Sequence, residues 1–500
     1  MQEVMNLILT KKRYKYYITG IGLFTNYLFC IFTLLPPYSL KKPNFYVKEI
    51  NLPSDSTGIN YNISVEFKKE YCDSSKYIIK KDPINSLHNW AYEYDLYCSP
   101  EKDFYDACLV ISLFFGAFIG NAIFETFPDK YGREKIYKYL SIFELFLQIN
   151  LIFDFGIIHL IIIIFFCGIN LYIFPLSLVV VEEFIVEDKG VIYGLINGIY
   201  PFEGIFLSFW FMIVNNIRIL FFIYSILLCF FNYFLLKYFY ESPRWLHSQG
   251  RHVECMSVLT NIAIFNKIEE EWTLFQNNHH EIISLIGSRK ENNIPKENIN
   301  LNLGFLQILN IESQKYKFMY TLIIWTFTAN CFYGMVLYLD KMKGNFFENT
   351  ILSFFGELIV ELFSGKLMDI YGRKKLTVLF MYFGTCFFIL YELLPEQFSG
   401  VTLFFSMMGF AGNFICLSVL VNESFATEIR GTVVSDCFII ERFVPIIIKI
   451  FGLFLNKRMI DIIFIFSGLS SAYLTNKYFN ETLGQNSHDF IYEEEEQLMT

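Results

Sequence analysis

The chain has 500 residues, 54% hydrophobic and 19% aromatic, with 18% charged and a mean hydropathy of +0.39. Soluble domains carry about 25% charged residues, so an ordinary soluble fold is excluded. The formal net charge of −9 comes partly from the terminal "YEEEEQLMT", a solvated acidic tail, and no basic block interleaved with aromatics offers a nucleic-acid surface.

Twelve apolar segments predict membrane-crossing helices, at about 15–36, 104–127, 136–154, 156–181, 191–214, 217–238, 318–339, 346–368, 376–395, 400–422, 432–455 and 458–479. A helix needs roughly 20 apolar residues to cross a hydrocarbon core of about 30 Å, and lipid leaves no other way to pair the backbone. The first segment follows "MQEVMNLILTKKRYKYY", which has no cleavage pattern, so it is expected to remain as a span. Two polar insertions interrupt the series. The expected organisation is an N-terminal six-helix half, 1–240, with an extracellular loop at 37–103; a cytoplasmic central loop, 241–317; a C-terminal half, 318–482; and an acidic cytoplasmic tail, 483–500.

Lysine and arginine in short loops set the orientation. "KKRYK", "DKYGREKIYK" and "YGRKK" fall on one side, while "DFGIIHL" and "LPEQFSG" carry no such residue. Both termini are therefore expected in the cytoplasm, although "NKRM" before the last span runs against the rule. The outer loop then holds the sequon at Asn62, a glycosylation candidate. It also holds Cys72 and Cys98, which could pair if the loop is extracellular. The other nine cysteines mostly lie in apolar runs, where cysteine behaves as a small hydrophobe.

The chain repeats itself at an offset of 240 positions. Phe114 matches Phe354, Asp129 matches Asp369, Glu183 matches Glu423 and Glu241 matches Glu481. "DKYGREK" and "DIYGRKK" agree at five of seven positions. Matches in register imply two parallel six-span halves, the arrangement of major facilitator transporters. The fold class expected is all-α, with 12 transmembrane helices in two repeats.

Charges at a membrane face are costly unless paired. Gly132 and Gly372 permit tight turns, and Arg133 and Arg373 can reach Asp129 and Glu183, or Asp369 and Glu423. A latch that closes the cytoplasmic side in one state is expected from these clusters, with Glu241, Arg244, Arg430 and Glu481 beside them. In "KYFYESPRWL", Pro243 ends the apolar run and Trp245 suits a membrane interface. The bland alternative is that these charges only fix topology.

"ESPRWLHSQGR", "NESFATEIRG", "NETLGQ" and "NWAYEYDLYC" resemble the organic cation/anion/zwitterion transporters, the solute carrier 22 family of the major facilitator superfamily. The resemblance implies a membrane transporter of small organic ions, cation or anion, working by alternating access in the plasma membrane as a monomer. A coupling proton or sodium ion belongs to that expectation. It places Phe332 and Tyr333 at an aromatic stretch in span 7 and Glu357 at an acid in span 8. Glu203, Asp436 and Arg442 complete the substrate-site candidates, with Arg442 pointing toward anions and the glutamates toward cations. Glu441 and Arg442 could instead pair with each other. Departures such as Glu125 for glycine, and Ala426 and Asn480 for proline, keep open a non-transporting receptor-like or vesicle-structural relative. A sugar or polyol porter is a further alternative, although Gln-Gln-x-Ser-Gly is missing from span 7. No nucleophile–base constellation, metal-ligand spacing or phosphate loop is present, so neither an enzyme nor a cofactor is expected.

Overall fold

A computed structural model describes residues 13–42, 44–49, 64–65, 72, 77–82, 86–99, 101–124, 127–153, 155–185, 189–278 and 308–483. Twelve principal helices follow one another. They are α1 Arg13–Leu34, α2 Lys102–Phe124, α3 Arg133–Ile152, α4 Ile157–Asn170 running into Ile173–Phe184, α5 Lys189–Asn197 running into Ile199–Ile213, and α6 Ile217–Tyr238. After the central segment come α7 Glu312–Leu337, α8 Phe346–Tyr371, α9 Arg373–Leu393, α10 Ser399–Ser424, α11 Thr427–Phe454 and α12 Lys457–Tyr478. Among the described residues, nine helices are long and apolar enough to cross a membrane by length and composition. The principal helices missing from that set are α3, α8 and α11, which carry Glu144, the Glu357 and Glu361 pair, and the Glu441, Arg442 and Lys449 group inside their apolar stretches.

The repeat seen in the sequence is also a repeat in packing. Gly116 of α2 lies against the α4 backbone at Phe165, and Gly356 of α8 lies against the α10 backbone at Phe404; a Cβ at either would strike a carbonyl oxygen. Small residues let membrane helices approach closely where no hydrophobic force separates protein from lipid. The Asn216 and Asn456 side chains, again 240 apart, accept backbone N–H bonds in the first turns of α6 and α12. Between the halves, α2 packs on α11 and α5 on α8.

Two segments differ from the sequence reading. The 37–103 insertion holds a small antiparallel sheet, ordered β2-β1-β3, of β1 Phe45–Glu49, β2 Ser64–Val65 and β3 Tyr77–Lys81. Cys72 and Cys98 are disulfide-bonded, with Cα atoms 5.5 Å apart. Asn62 lies outside the described residues. In the central insertion, residues 243–278 form three short helices docked on the N-terminal half, where Asn266 accepts the Tyr14 backbone N–H at 2.8 Å. Helix α7 begins at Glu312, before the expected 318, and its first turns carry exposed Lys315 beside buried Gln314.

Candidate functional site

Three charged regions stand out, one at each end of the bundle and one at its middle. At the end that carries residues 243–278, Gly132 and Gly372 adopt φ of +101° and +97°, open to glycine and strained for other residues. Each turn delivers an arginine to the start of the next helix. Arg133 binds Asp129 at 2.8 Å and Glu183 at 3.0 Å, and donates to the Pro128 carbonyl. Arg373 repeats the pattern with Asp369 at 3.1 Å, Glu423 at 3.2 Å and the Met368 carbonyl.

Glu241 and Glu481 close the motif from behind. Glu241 accepts the backbone N–H groups of Arg133 and Glu134, at 3.0 and 3.2 Å, the free donors of the first turn of α3. Glu481 does the same for Arg373 and Lys374, at 2.7 and 3.3 Å. Burial raises the Glu241 carboxyl above its ordinary 4.5, against the pull of its N–H donors. Burial also opposes charge at Glu481, but it is less buried there, and the N–H groups of Lys375, Arg373, Leu483 and Lys374 prevail and lower it.

These clusters bind helices within one half, in the same pairs that the sequence suggested for a cytoplasmic latch. Arg133 and Glu183 tie α3 to α4; Arg373 and Glu423 tie α9 to α10. Pro243 opens a new helix, capped by Ser242, rather than closing α6. Trp245 is buried, donates to the Asp129 carbonyl at 3.0 Å, and stacks beneath the guanidinium groups of Arg133 and Arg251. Arg244 is half-buried in the first turn of the Pro243–Ser248 helix. Arg430 donates to the Phe425 carbonyl and staples the turn from α10 to α11.

At mid-bundle, aromatic rings meet across the halves. Phe332 of α7 packs on Tyr200 of α5 at 6.4 Å and on Phe414 of α10 at 5.5 Å; Tyr333 packs on Phe114 of α2 at 5.7 Å. The Tyr333 hydroxyl donates to Glu441, and Arg442 lies 3.7 Å from the same carboxylate oxygen. Glu441 is buried, and among the described residues its second carboxylate oxygen and the Arg442 Nε have no hydrogen-bond partner. On α8 lies Glu357, 1% exposed, with Glu361 one turn further along; among the described residues each has a buried carboxylate oxygen without a hydrogen-bond partner. Tyr200 and Tyr333 each lie within electrostatic range of both Glu357 and Arg442. Glu203 is placed differently. It is fully buried and accepts the Tyr224 hydroxyl of α6 at 3.0 Å, inside the N-terminal half. Asp436 is half-buried on α11, six residues before Arg442.

Residues 105–440 match the Major Facilitator Superfamily. The chain belongs to that superfamily. It is 25% identical over 401 residues to "Solute carrier family 22 member 15-like" of Xenopus tropicalis, covering 75% of this chain and 76% of that one. Over 439 residues it is 20% identical to the Beta-alanine transporter of Drosophila melanogaster, covering 80% of this chain and 70% of that one. In fold it is similar to the xylose transporter XylE of E. coli, inward-open, with a TM-score of 0.64 at 15% identity, over 97% of this chain and 99% of that one. It is thus an integral membrane transporter protein of the superfamily and not an enzyme.

Superfamily motifs pointed to the arginine clusters and left other groups unmarked. Glu361 escaped the sequence reading, although its spacing of four from Glu357 places both acids on one helix face. A buried network also escaped it, in which Gln148 and Asn170 donate to Glu144 at 3.1 and 2.7 Å. So did Asp106 and Lys449, paired across the halves at 2.8 Å. A lone lysine in the apolar run "PIIIKIFGLF" was the available signal.

Proposed function

We propose that this chain moves small organic ions across the plasma membrane by alternating access, and that the favoured substrate carries both charges. The observation that carries this reading is the mid-bundle grouping of Arg442 with Glu357 and Glu361 among Tyr200, Phe332 and Tyr333. Buried charges lacking full compensation are costly, and a zwitterion seated between them would satisfy both. Arg442 takes the carboxylate through its free Nε. Glu357 and Glu361 take the ammonium, with Phe332 and Tyr333 as aromatic walls for the cationic end. Glu441 holds Tyr333 and offsets part of the Arg442 charge while the site is empty. Glu203 and Asp436 act from the periphery of this site. A relative named for β-alanine, itself such a zwitterion, supports the choice.

In this reading the halves are 1–240 and 318–482, the 37–103 end is extracellular, and both termini, the 241–317 segment and the 483–500 tail are cytoplasmic. Each chain works as a monomer. The arginine clusters keep each half rigid while it rocks, and a coupling proton or sodium ion enters with the substrate at the α8 acids.

The test is uptake of labelled β-alanine, tetraethylammonium and para-aminohippurate into cells expressing the chain, beside Arg442→Ala and Glu357→Gln. Saturable β-alanine uptake lost in both variants is expected. Cation uptake insensitive to Arg442→Ala would overturn the zwitterion assignment. No saturable uptake of any probe, with the protein at the surface, would favour a receptor-like role.

A further inference from the structure

Two ion pairs join the halves at the end that carries residues 37–99. Asp103 meets Lys341 at 3.8 Å on an open rim, and beneath them Asp106 of α2 meets Lys449 of α11 at 2.8 Å. The inner pair is buried, with side chains 12% and 5% exposed. Lys449 also donates to the Leu337 carbonyl at 3.4 Å and lies 5.4 Å from the Tyr338 ring. Asp340 stands within electrostatic range of Lys449, and Lys102 within range of Asp106. Beside it the halves touch again, where the Tyr38 ring packs edge-on against Phe346 at 5.1 Å and Lys41 sits 4.0 Å over Phe346. This end is shut in the state seen.

We infer that Asp106 and Lys449 form the latch that closes the pathway at this end, and that the latch shares a helix face with the substrate site. Opening here must separate α2 from α11 and therefore break this pair. Lys449 follows Arg442 by seven residues, two turns on one face and about 10 Å along the axis. A substrate carboxylate drawing on Arg442 therefore pulls the helix that bears the latch. Buried ion pairs are poor sources of net stability but costly to leave half-made, so the pair acts as a two-state device: fully made, or opened to water with both charges hydrated.

This inference rests on the proposed transport reading for which face is outside, yet its test needs no substrate. Phe443, on α11 below Lys449 and packed on Phe118 at 4.6 Å, is replaced by cysteine as a reporter. Its reaction with a membrane-impermeant cationic methanethiosulfonate is timed on intact cells, against the parent chain without the reporter. Asp106→Asn and Lys449→Met are each expected to speed the reaction about 10-fold or more. The charge-swapped pair Asp106→Lys with Lys449→Asp is expected to slow it again. Should the single variants fail to reach the surface, the doubly neutral Asp106→Asn with Lys449→Met leaves no uncompensated charge and should also react fast. Rates within twofold of the parent in surface-expressed variants, or a swap as fast as the singles, would overturn the latch. Fast labelling without any uptake would keep the latch and remove the proposed substrate reading.

Discussion

Replacing Glu241 by alanine should destabilise the protein far more than the equivalent Glu481→Ala, although the two residues occupy matching places in the repeat. Glu241 is 8% exposed and accepts two N–H groups from the first turn of α3. Deleting its carboxylate strands both donors where water has little access, at about 1–3 kcal/mol each, so roughly 3 kcal/mol in all. Glu481 is half-buried, and water can replace it at Arg373 and Lys374, leaving a cost of about 1 kcal/mol. For halves of this size each kcal/mol moves the midpoint by about 2–4 °C. Thermal unfolding of purified, detergent-solubilised variants should therefore show a fall of roughly 6–12 °C for Glu241→Ala and about 2–4 °C for Glu481→Ala. Equal falls, or a larger one for Glu481→Ala, would refute the claim that burial rather than the hydrogen-bond pattern sets the cost.

The same pair predicts opposite pH responses. Glu481 is held low, so its stabilisation is present above 4.5 and lost as pH falls through its lowered value; Glu481→Gln should flatten the acid limb of a stability–pH curve. Glu241 is held high, so its contribution is full below 4.5 and declines as pH rises through the raised value; Glu241→Gln should flatten that rise instead. Tyr333→Phe removes the hydroxyl that binds Glu441 and should raise KM about 10-fold with surface expression unchanged, measured by saturation uptake. Cys72→Ser opens a bridge closing a 26-residue separation, worth about 3 kcal/mol to the loop, and should increase its cleavage by protease added outside cells.

The helices were legible because periodic charge and long apolar runs decide them locally. Even the short break before Ile157, with few polar residues, separates α3 from α4 as the spacing required. The arginine clusters were legible because Asp129, Arg133 and Glu183 recur 240 positions on, at Asp369, Arg373 and Glu423. What escaped depends on helix crossings that no local pattern encodes. Nothing near Asp106 announces a lysine 343 positions away, and nothing near Glu203 announces Tyr224 as its partner. The sheet in the 37–103 insertion was missed because its strands are short and far apart in sequence.

The charges that keep α8 and α11 out of the set of plainly apolar helices bear on how the protein is made. Leaving the translocon, a segment with an ionised residue at its centre is penalised by about 2.5–3.5 kcal/mol for each such group. Helix α11 brings Glu441, Arg442 and Lys449, and their partners lie on α2 and α7, synthesised long before. Its insertion must therefore wait for an already assembled groove between the earlier helices. The buried charges of α11 thereby tie its insertion to helices made long before it.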